Sequence, residues 1–293
     1  MNKKKSLFIF TGILVFSVLI IALITALGSG GGYKILASGL QYKIILNKAK
    51  TKATEGQLMI AYLTYKTEKD SIVFSTYTTE KKTTTFPVGK PENIADLNEA
   101  FLLLGPNDSA IIRLPADSIF KGNANRPAFA GKGSFIHVGI KVDTVMNKES
   151  FEQLTLMKST QQKEIDDELI KKYLKENNLK ATRTETGLYY IINKSGTGQN
   201  PTDGQSVSVL YTGKLIDGKI FDSSQMSGGE PITVKLGARS VIAGWEQGLK
   251  YFNRGAKGLL LLPSNLAYGD REFPDRIPAN SVLVFEVEIT SIK

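Results

Sequence analysis

Cysteine is missing from this chain, and histidine and tryptophan occur only once each. The absence of cysteine excludes disulfides, thiolate nucleophiles and cysteine metal ligands. With His137 as the lone histidine, a metal centre built on several histidines is also excluded. The net charge of +9 is not accompanied by any motif that reads RNA or DNA, so nucleic acid is not an expected partner. We therefore expect a protein that works without a metal or another cofactor.

Charge is missing from residues 7–27, which follow three lysines at positions 3–5. A cleavable signal peptide has an apolar region of about 7–15 residues, whereas a membrane-spanning helix needs about 20. The length predicts an uncleaved transmembrane helix, and the lysines place its amino end in the cytoplasm. The alternative is a signal peptide cut near Gly28, which would release a secreted chain. In both cases residues 1–32 serve as anchor or signal peptide plus Gly-rich tether, and the rest lies on the extracytoplasmic (periplasmic or outer) side.

The second half of the chain is organised around its only tryptophan. Apolar residues recur there at spacings of three and four, which predicts a short helix formed by Ile242, Trp245, Leu249 and Phe252. Alternation of apolar and polar residues predicts strands at 207–211, 232–236 and 283–289, with a fully apolar strand at 259–262. A short helix packed on an antiparallel sheet of about five strands gives an α+β fold.

Five motifs surround this helix in a fixed order. They are Tyr211-Thr212-Gly213, Phe221-Asp222-Ser223-Ser224, Leu262-Pro263, Ala267-Tyr268-Gly269 and Val284-Phe285. Together they resemble the FKBP-type peptidyl-prolyl cis–trans isomerase domain, over residues 187–293. The resemblance implies an antiparallel half-barrel sheet wrapped around the Trp245 helix. It also implies an enzyme that twists X-Pro amide bonds in an apolar aromatic pocket and assists the folding of exported proteins.

The resemblance assigns roles to individual residues. Trp245 corresponds to the floor under the proline ring, Asp222 to the carboxylate facing the twisted amide, and Tyr268 to a hydroxyl donor; with Phe221 these are the predicted catalytic residues. The predicted substrate-binding residues are Tyr211, Val241, Ile242, Phe285, Ile277, Ile232 and Phe273. The implied partners are proline-containing unfolded or exported polypeptides, and macrolide inhibitors could bind the same pocket. Ile232 and Arg276 depart from the family pattern, because an aromatic and an aliphatic residue are usual at these two places.

Residues 33–146 form a weak internal repeat of the second half. Gly39-Leu40-Gln41-Tyr42 matches Gly187-Leu188-Tyr189-Tyr190, and Ile111-Ile112-Arg113-Leu114-Pro115 matches Leu259-Leu260-Leu261-Leu262-Pro263. We interpret this half as a divergent FKBP-like domain. The predicted fold class is therefore α+β, with two tandem FKBP-like copies preceded by an N-terminal transmembrane helix.

The first copy is predicted to be inactive. Matched to the second, it has Leu97 at the tryptophan place, Ser75 at the aspartate place and Phe120 at the tyrosine place. Phe74 keeps the type of Phe221, and Tyr62 or Tyr65 could replace the strand tyrosine. Such a site retains apolar walls but lacks the aromatic floor, the carboxylate and the hydroxyl donor.

Residues 147–186 connect the two copies. Ile165, Leu169 and Tyr173 recur every four residues, which predicts a linker helix that packs a narrow stripe on one domain; a dimerisation or substrate-cradling helix is the alternative. For the whole chain, two functions compete with the isomerase. One is a non-enzymatic holdase, and the other is an envelope component that uses the fold as an interaction module.

Overall fold

The computed structural model describes residues 32–80, 82–92, 96–121 and 126–293. The chain divides into two compact units, with the boundary between Gln153 and Leu154. Each unit contains one seven-stranded sheet in which all paired strands are antiparallel. Each unit is described by itself below.

The first unit holds strands β1 to β7 and two one-turn helices. The strands are β1 Lys34–Ile35, β2 Gln41–Leu46, β3 Leu58–Lys66, β4 Ile72–Ser75, β5 Thr84–Pro87, β6 Ser109–Pro115 and β7 Phe135–Met146. The helices are α1 Asn98–Phe101 and α2 Ala116–Ile119, and a π-helical turn spans Thr76–Glu80. The sheet order is β1-β2-β6-β7-β3-β4, and β5 pairs with β3.

The second unit holds strands β8 to β14. They are β8 Thr182–Arg183, β9 Tyr189–Lys194, β10 Ser206–Leu215, β11 Ile220–Ser223, β12 Ile232–Lys235, β13 Lys257–Leu262 and β14 Leu283–Ile292. The long helix α3, Lys148–Glu176, crosses the boundary between the units, and the short helix α4, Ala243–Gly248, continues into a 3-10 turn at Leu249–Tyr251. The sheet order is β8-β9-β13-β14-β10-β11, and β12 pairs with β10.

The two sheets have the same connectivity, because β1 to β7 correspond one by one to β8 to β14. The pairing irregularities also recur, since β3 and β10 both carry a register shift opposite the end strand β4 or β11. This shared order supports the interpretation of the first half as an FKBP-like copy. The domain limits predicted from the sequence stay a proposal.

The inner face of the second sheet packs against α4. Trp245 of this helix is 3% exposed, and Leu249 and Phe252 are fully buried. The helix lies so close to β13 that a Cβ on Gly244 would meet the Leu262 side chain at 2.2 Å. Alternate residues of a strand share one face. Four alternate residues of β14 lie in the inner core: Leu283, Phe285, Val287 and Ile289.

The outer face of the second sheet packs against α3. Ile170 and Leu174 of α3 form a separate apolar cluster with Leu261 of β13 and with Val282 and Val284 at β14. Two members of the predicted stripe instead face solvent, with Ile165 46% and Leu169 38% exposed. The buried face of α3 is therefore rotated by one residue from the prediction.

The fold class predicted from the sequence is corrected in one respect. It included a transmembrane helix at residues 7–27, which lie outside the described residues. Among the residues that the structure does describe, no helix is long and apolar enough to cross a membrane. The fold class that the structure supports is FKBP-like, with two antiparallel sheets and few helices.

Candidate functional site

Four aromatic side chains from four different elements meet on the inner side of the second sheet. Trp245 of α4 contacts Tyr211 of β10 and Phe285 of β14 edge to face, with ring centroids 5.1 and 5.3 Å apart. Phe221 of β11 contacts Phe285 in the same way at 5.7 Å. Because edge-to-face rings interlock, the four side chains hold one another in fixed orientations. The result is an aromatic box with Trp245 at its base.

One carboxylate enters this box. Tyr211 donates a hydrogen bond from its hydroxyl to Oδ2 of Asp222, at 2.9 Å. Burial and this hydrogen bond to the carboxylate raise the pKa of Tyr211 to about 12, so its hydroxyl stays protonated at neutral pH. The backbone of Tyr211 is fixed too, because its N–H donates to Oγ of Ser224 and its carbonyl accepts from the Ser224 N–H, both at 3.0 Å. The Asp222 carboxylate is therefore held at the box by the Tyr211 hydroxyl.

A loop after β13 supplies Tyr268. Its ring packs edge to face on Phe273, at 4.7 Å. Phe273 is held by two backbone hydrogen bonds with Ile277, at 2.8 and 2.9 Å, and Ile277 is buried in the core. Burial, followed by the nearby charge of Asp222, raises the pKa of Tyr268. The Tyr268 hydroxyl thus remains a donor near the carboxylate.

Three aliphatic residues complete the edge of the site. Ile232 of β12, Val241 and Ile242 are partly buried and pack against the same core as the aromatic box. Ile242 is the N-cap of α4, and its carbonyl accepts hydrogen bonds from the N–H groups of Trp245 and Glu246, at 2.9 and 3.2 Å. This position fixes the direction in which the helix enters the box.

All the residues that the sequence singled out for the site therefore lie in the second unit. The ring contacts and the Tyr211–Asp222 bond join Trp245, Tyr211, Phe221, Phe285 and Asp222 directly. Tyr268, Phe273 and Ile277 form a second group on the loop.

Arg276 departs from the family pattern, and the resemblance implies no role for it. In the structure its guanidinium donates a hydrogen bond to the carbonyl of Phe221, at 2.9 Å. Its positive charge acts on both phenols and tends to lower the pKa of Tyr211 and of Tyr268, against the larger effect of burial. Arg276 thus ties the loop to β11 beside the carboxylate. A charged residue at a usually apolar place was the only sequence signal for this contact.

The first unit presents a different set of residues at the same places. Tyr211 pairs its backbone with Ser224, and the equivalent pair is Leu63 with Thr76, where the Leu63 N–H donates to Oγ1 at 2.9 Å. Leu63 is therefore the counterpart of the strand tyrosine, and the predicted substitutes Tyr62 and Tyr65 are wrong.

The aspartate place of the first unit also needs a correction. Asp222 lies opposite Gly213 in the pairing of β11 with β10, and Phe74 lies opposite Tyr65 in the pairing of β4 with β3. Phe74, not Ser75, therefore occupies the aspartate place, and Val73 occupies the place of Phe221. The predicted loss of the carboxylate stands, although a different residue replaces it.

The side chains of this site suit an organic ligand better than a metal. Among residues 32–80, 82–92, 96–121 and 126–293, no group of three or more histidine, aspartate or glutamate residues could hold a metal ion. The Asp222 carboxylate contacts the aromatic box through a hydrogen bond from the phenol of Tyr211. An apolar box with a single hydrogen-bonded carboxylate is an environment for a small apolar ring attached to a polar amide.

Comparison with known proteins places the chain in a class. The model of the FKBP-type peptidyl-prolyl cis-trans isomerase family matches residues 197–290. The isomerase FkpA of Buchnera aphidicola (subspecies Schizaphis graminum) is 45% identical over 113 residues, 38% of this chain and 43% of that protein. FkpA of Buchnera aphidicola (subspecies Acyrthosiphon pisum) is 34% identical over 185 residues, 62% of this chain and 73% of that protein. The crystal structure of FkpA from Escherichia coli is 37% identical, covers 50% of this chain and 69% of that one, and has a TM-score of 0.39.

This chain belongs to the family of FKBP-type peptidyl-prolyl cis-trans isomerases. Within that family the two relatives from Buchnera aphidicola are both called FkpA, so the chain is FkpA-like. It spans less than half of the length of the first of them and 73% of the second. The resemblance seen in the sequence is thereby confirmed for the family.

Proposed function

We propose that the second unit catalyses the cis–trans isomerisation of X-Pro peptide bonds and so assists the folding of other proteins. The observation that carries this proposal is the aromatic box closed around Trp245, with the Asp222 carboxylate hydrogen-bonded to Tyr211 at its wall. Family membership supports the reaction, and the box supplies the environment that the reaction needs.

Isomerisation requires a planar amide to be twisted. Rotation must remove the partial double bond of the C–N linkage, with a barrier of about 18–20 kcal/mol. The planar amide is charge-separated and well solvated, whereas the twisted amide is less polar. An apolar enclosure that excludes water therefore disfavours the planar form relative to the twisted one. A thousandfold acceleration requires about 4 kcal/mol, since each factor of ten corresponds to about 1.4 kcal/mol.

Each residue of the site has a place in this proposal. The proline ring lies on Trp245 between Tyr211, Phe221 and Phe285, and Ile232, Val241, Ile242, Phe273 and Ile277 bound the segment on either side of it. Asp222 faces the twisting amide, and Tyr268 donates a hydrogen bond to a substrate carbonyl. The shared negative charge of Asp222, which raises the pKa of both phenols, supports their acting as neutral donors around one carboxylate.

The test changes polar groups while retaining bulk. Asp222→Val and Tyr268→Phe in the full chain should each lower kcat/KM on a prolyl peptide by about a hundredfold, at the lower end of the range for loss of one preorganised polar group. The measurement is a protease-coupled or NMR exchange assay. Phe74→Val and Phe120→Leu, at the matching places of the first unit, are the controls and should leave kcat/KM unchanged. Full activity in the Asp222→Val, Tyr268→Phe double variant would show that catalysis occurs elsewhere.

We further propose that the clients are proline-containing polypeptides exported from the cytoplasm, and that the chain acts as a secreted protein. The uncharged run at residues 7–27 after three lysines supports export. A macrolide inhibitor is a candidate ligand of the same box, although Ile232 replaces an aromatic residue of the family pattern and the charged Arg276 replaces an aliphatic one. Fractionation of cells followed by amino-terminal sequencing of the mature chain tests the location.

A second candidate function concerns the first unit, as a non-catalytic binding module for extended apolar polypeptide. The supporting observation is the end strand β4, where Ile72, Val73 and Phe74 are 55%, 46% and 39% exposed. An exposed apolar strand edge can add a further strand from another chain. If so, Ile72→Lys with Val73→Lys should weaken suppression of aggregation of an unfolded protein without changing turnover of a short prolyl peptide.

A further inference from the structure

A carboxylate of the connecting helix is buried beneath the proposed active-site loop. Asp166 of α3 is 0% exposed. Its Oδ2 accepts hydrogen bonds from the N–H and the hydroxyl of Ser264, at 2.7 and 2.6 Å, and its Oδ1 accepts from Nε2 of Gln162 at 2.8 Å. A charged group is retained in the interior only when hydrogen bonds replace its water. The two hydrogen bonds that Asp166 accepts from Ser264 therefore hold Ser264 in place.

Ser264 is in turn the start of the loop that carries Tyr268. The carbonyl of Ser264 accepts hydrogen bonds from the N–H groups of Ala267 and Gly269, at 2.9 and 2.8 Å, on either side of Tyr268. The Gly269 carbonyl accepts from the Asn280 N–H at 2.7 Å, which closes the far end of the loop. The backbone on both sides of Tyr268 thus depends on where Ser264 lies.

The first unit lacks this arrangement. Counting from the shared Leu-Pro pair, Ala116 stands at the place of Ser264, and its N–H donates to the carbonyl of Ser134 at 2.9 Å. The turn of the first unit is therefore closed within its own loop. In the second unit, a residue 98 positions earlier in the chain, outside the segment matched by the family model, provides the acceptor.

We propose that Asp166 is a positioning residue of the isomerase site, through which helix α3 holds Ser264 and thereby the Tyr268 hydroxyl in its reactive place. The inference rests on the proposed function for its catalytic consequence, whereas the effect on the loop itself is independent of it. Helix α3 is then a part of the active unit and more than a connector.

The test compares neighbouring carboxylates of one helix in the full chain. Asp166→Ala removes the acceptor of Ser264, and Asp166→Asn retains an oxygen that can accept its bonds. Asp167→Ala is the matched control, because Asp167 is bonded instead to Lys171, Arg183 and the Tyr189 hydroxyl, at 2.7, 2.8 and 2.8 Å. Ser264→Ala, which removes one of the two bonds and leaves Asp166 in place, covers the case in which Asp166→Ala does not fold.

Two readouts are needed. Hydrogen exchange at the Ala267 and Gly269 amides should be about tenfold faster in Asp166→Ala than in the unmodified chain, because local opening becomes easier. At a temperature well below unfolding, kcat/KM on a prolyl peptide should fall about tenfold, less than the roughly hundredfold that a misplacement of 1 Å can cost. Asp166→Asn should recover most of both values, Ser264→Ala should fall between, and Asp167→Ala should match the unmodified chain.

The possible results distinguish the proposed isomerase function from the positioning role of Asp166. An unmodified chain without isomerase activity would overturn the proposed function, and the exchange rates would still decide whether Asp166 holds the loop. An active chain in which Asp166→Ala changes neither the exchange rates nor kcat/KM would overturn the inference alone. Equal losses in Asp166→Ala and Asp167→Ala would do the same, because they would reduce the effect to general destabilisation of the helix.

Discussion

The two units have the same sheet and differ in what fills its inner face. In β10 and β14 of the second unit, Gly213 lies opposite Phe285; in β3 and β7 of the first, Tyr65 lies opposite Val138. A Cβ on Gly213 would meet the Phe221 and Phe285 rings at 2.7 and 2.8 Å, so a side chain there excludes both rings from their places. The comparison shows that one fold accommodates interlocked aromatic rings or a tyrosine facing a valine, depending on a pair of facing residues.

The outer faces differ as well. Leu261 and Val284 of the second unit pack under α3, whereas the facing pair at the same places in the first unit is Arg113 and His137. The Arg113 guanidinium lies 4.1 Å from the Phe135 ring centroid and 3.7 Å from Glu68. The outer face of the second sheet is apolar and is covered by a helix. The outer face of the first sheet is polar, because it contains charged side chains. This contrast assigns the carboxyl-terminal part of α3 to the second unit.

The largest effect is expected from exchanging the inner pair. Gly213→Tyr should abolish the box and lower kcat/KM by about a hundredfold or more, since the Phe221 and Phe285 rings must move. Overpacking should also lower the free energy of unfolding by about 1–3 kcal/mol. Adding Phe285→Val should recover part of the stability but none of the activity. Thermal unfolding and a prolyl peptide assay measure both, and recovery of activity in the double variant would contradict the comparison.

On the outer face the expected effect is on stability, whereas the exchange of the inner pair mainly affects activity. Ile170→Ala and Leu174→Ala should each lower the free energy of unfolding of the second unit by about 2–4 kcal/mol, because each leaves a cavity in a closed cluster. Ile165→Ala and Leu169→Ala, on the exposed face of the same helix, should change it by less than about 0.5 kcal/mol. Denaturant titration of the four variants distinguishes the two faces. Similar losses from both pairs would mean that α3 does not pack as described.

The smallest effect is a pH dependence confined to the first unit, which holds the only histidine. Burial, with the nearby Arg113 charge, lowers the pKa of His137, so the folded state binds its proton less readily than the unfolded chain. The stability of the first unit should therefore fall as pH drops below about 6.5, by no more than about 1.4 kcal/mol per pH unit. His137→Val, which copies Val284, should flatten the curve between pH 7 and 5. If the slope of stability against pH is unchanged in His137→Val, carboxylates and not His137 cause the pH dependence.

The pocket could be predicted from the sequence because its residues lie in short motifs. Phe221 and Asp222 are adjacent in one motif of the family pattern, and Tyr211 lies two residues before Gly213, so strand alternation places Tyr211 and Gly213 on one face. The Tyr211–Asp222 hydrogen bond follows from the antiparallel pairing of β10 with β11. The Arg276 contact could not be predicted, because it depends on how a loop returns to the sheet edge.

The errors have physical causes. Phe74 was matched to Phe221 because the residue types agree, but strand pairing places it opposite Tyr65, one position later. The stripe of α3 was assigned to Ile165 and Leu169 because adjacent faces of the helix both carry apolar residues. Which helix face is buried depends on packing against the outer face of the sheet, which the helix sequence does not contain. Asp166 lies on the buried face, and its charge made that face look solvent-exposed. The uninterrupted apolar run at 259–262 was a usable signal, since a strand without alternation is buried on both sides.

The single tryptophan has an experimental consequence. Trp245 is the base of the aromatic box, and the first unit holds no indole at all. The intrinsic fluorescence excited selectively in tryptophan therefore comes from one known point of a two-domain molecule. A change in its emission when a peptide is added reports on that pocket directly, without labelling the protein or separating its halves.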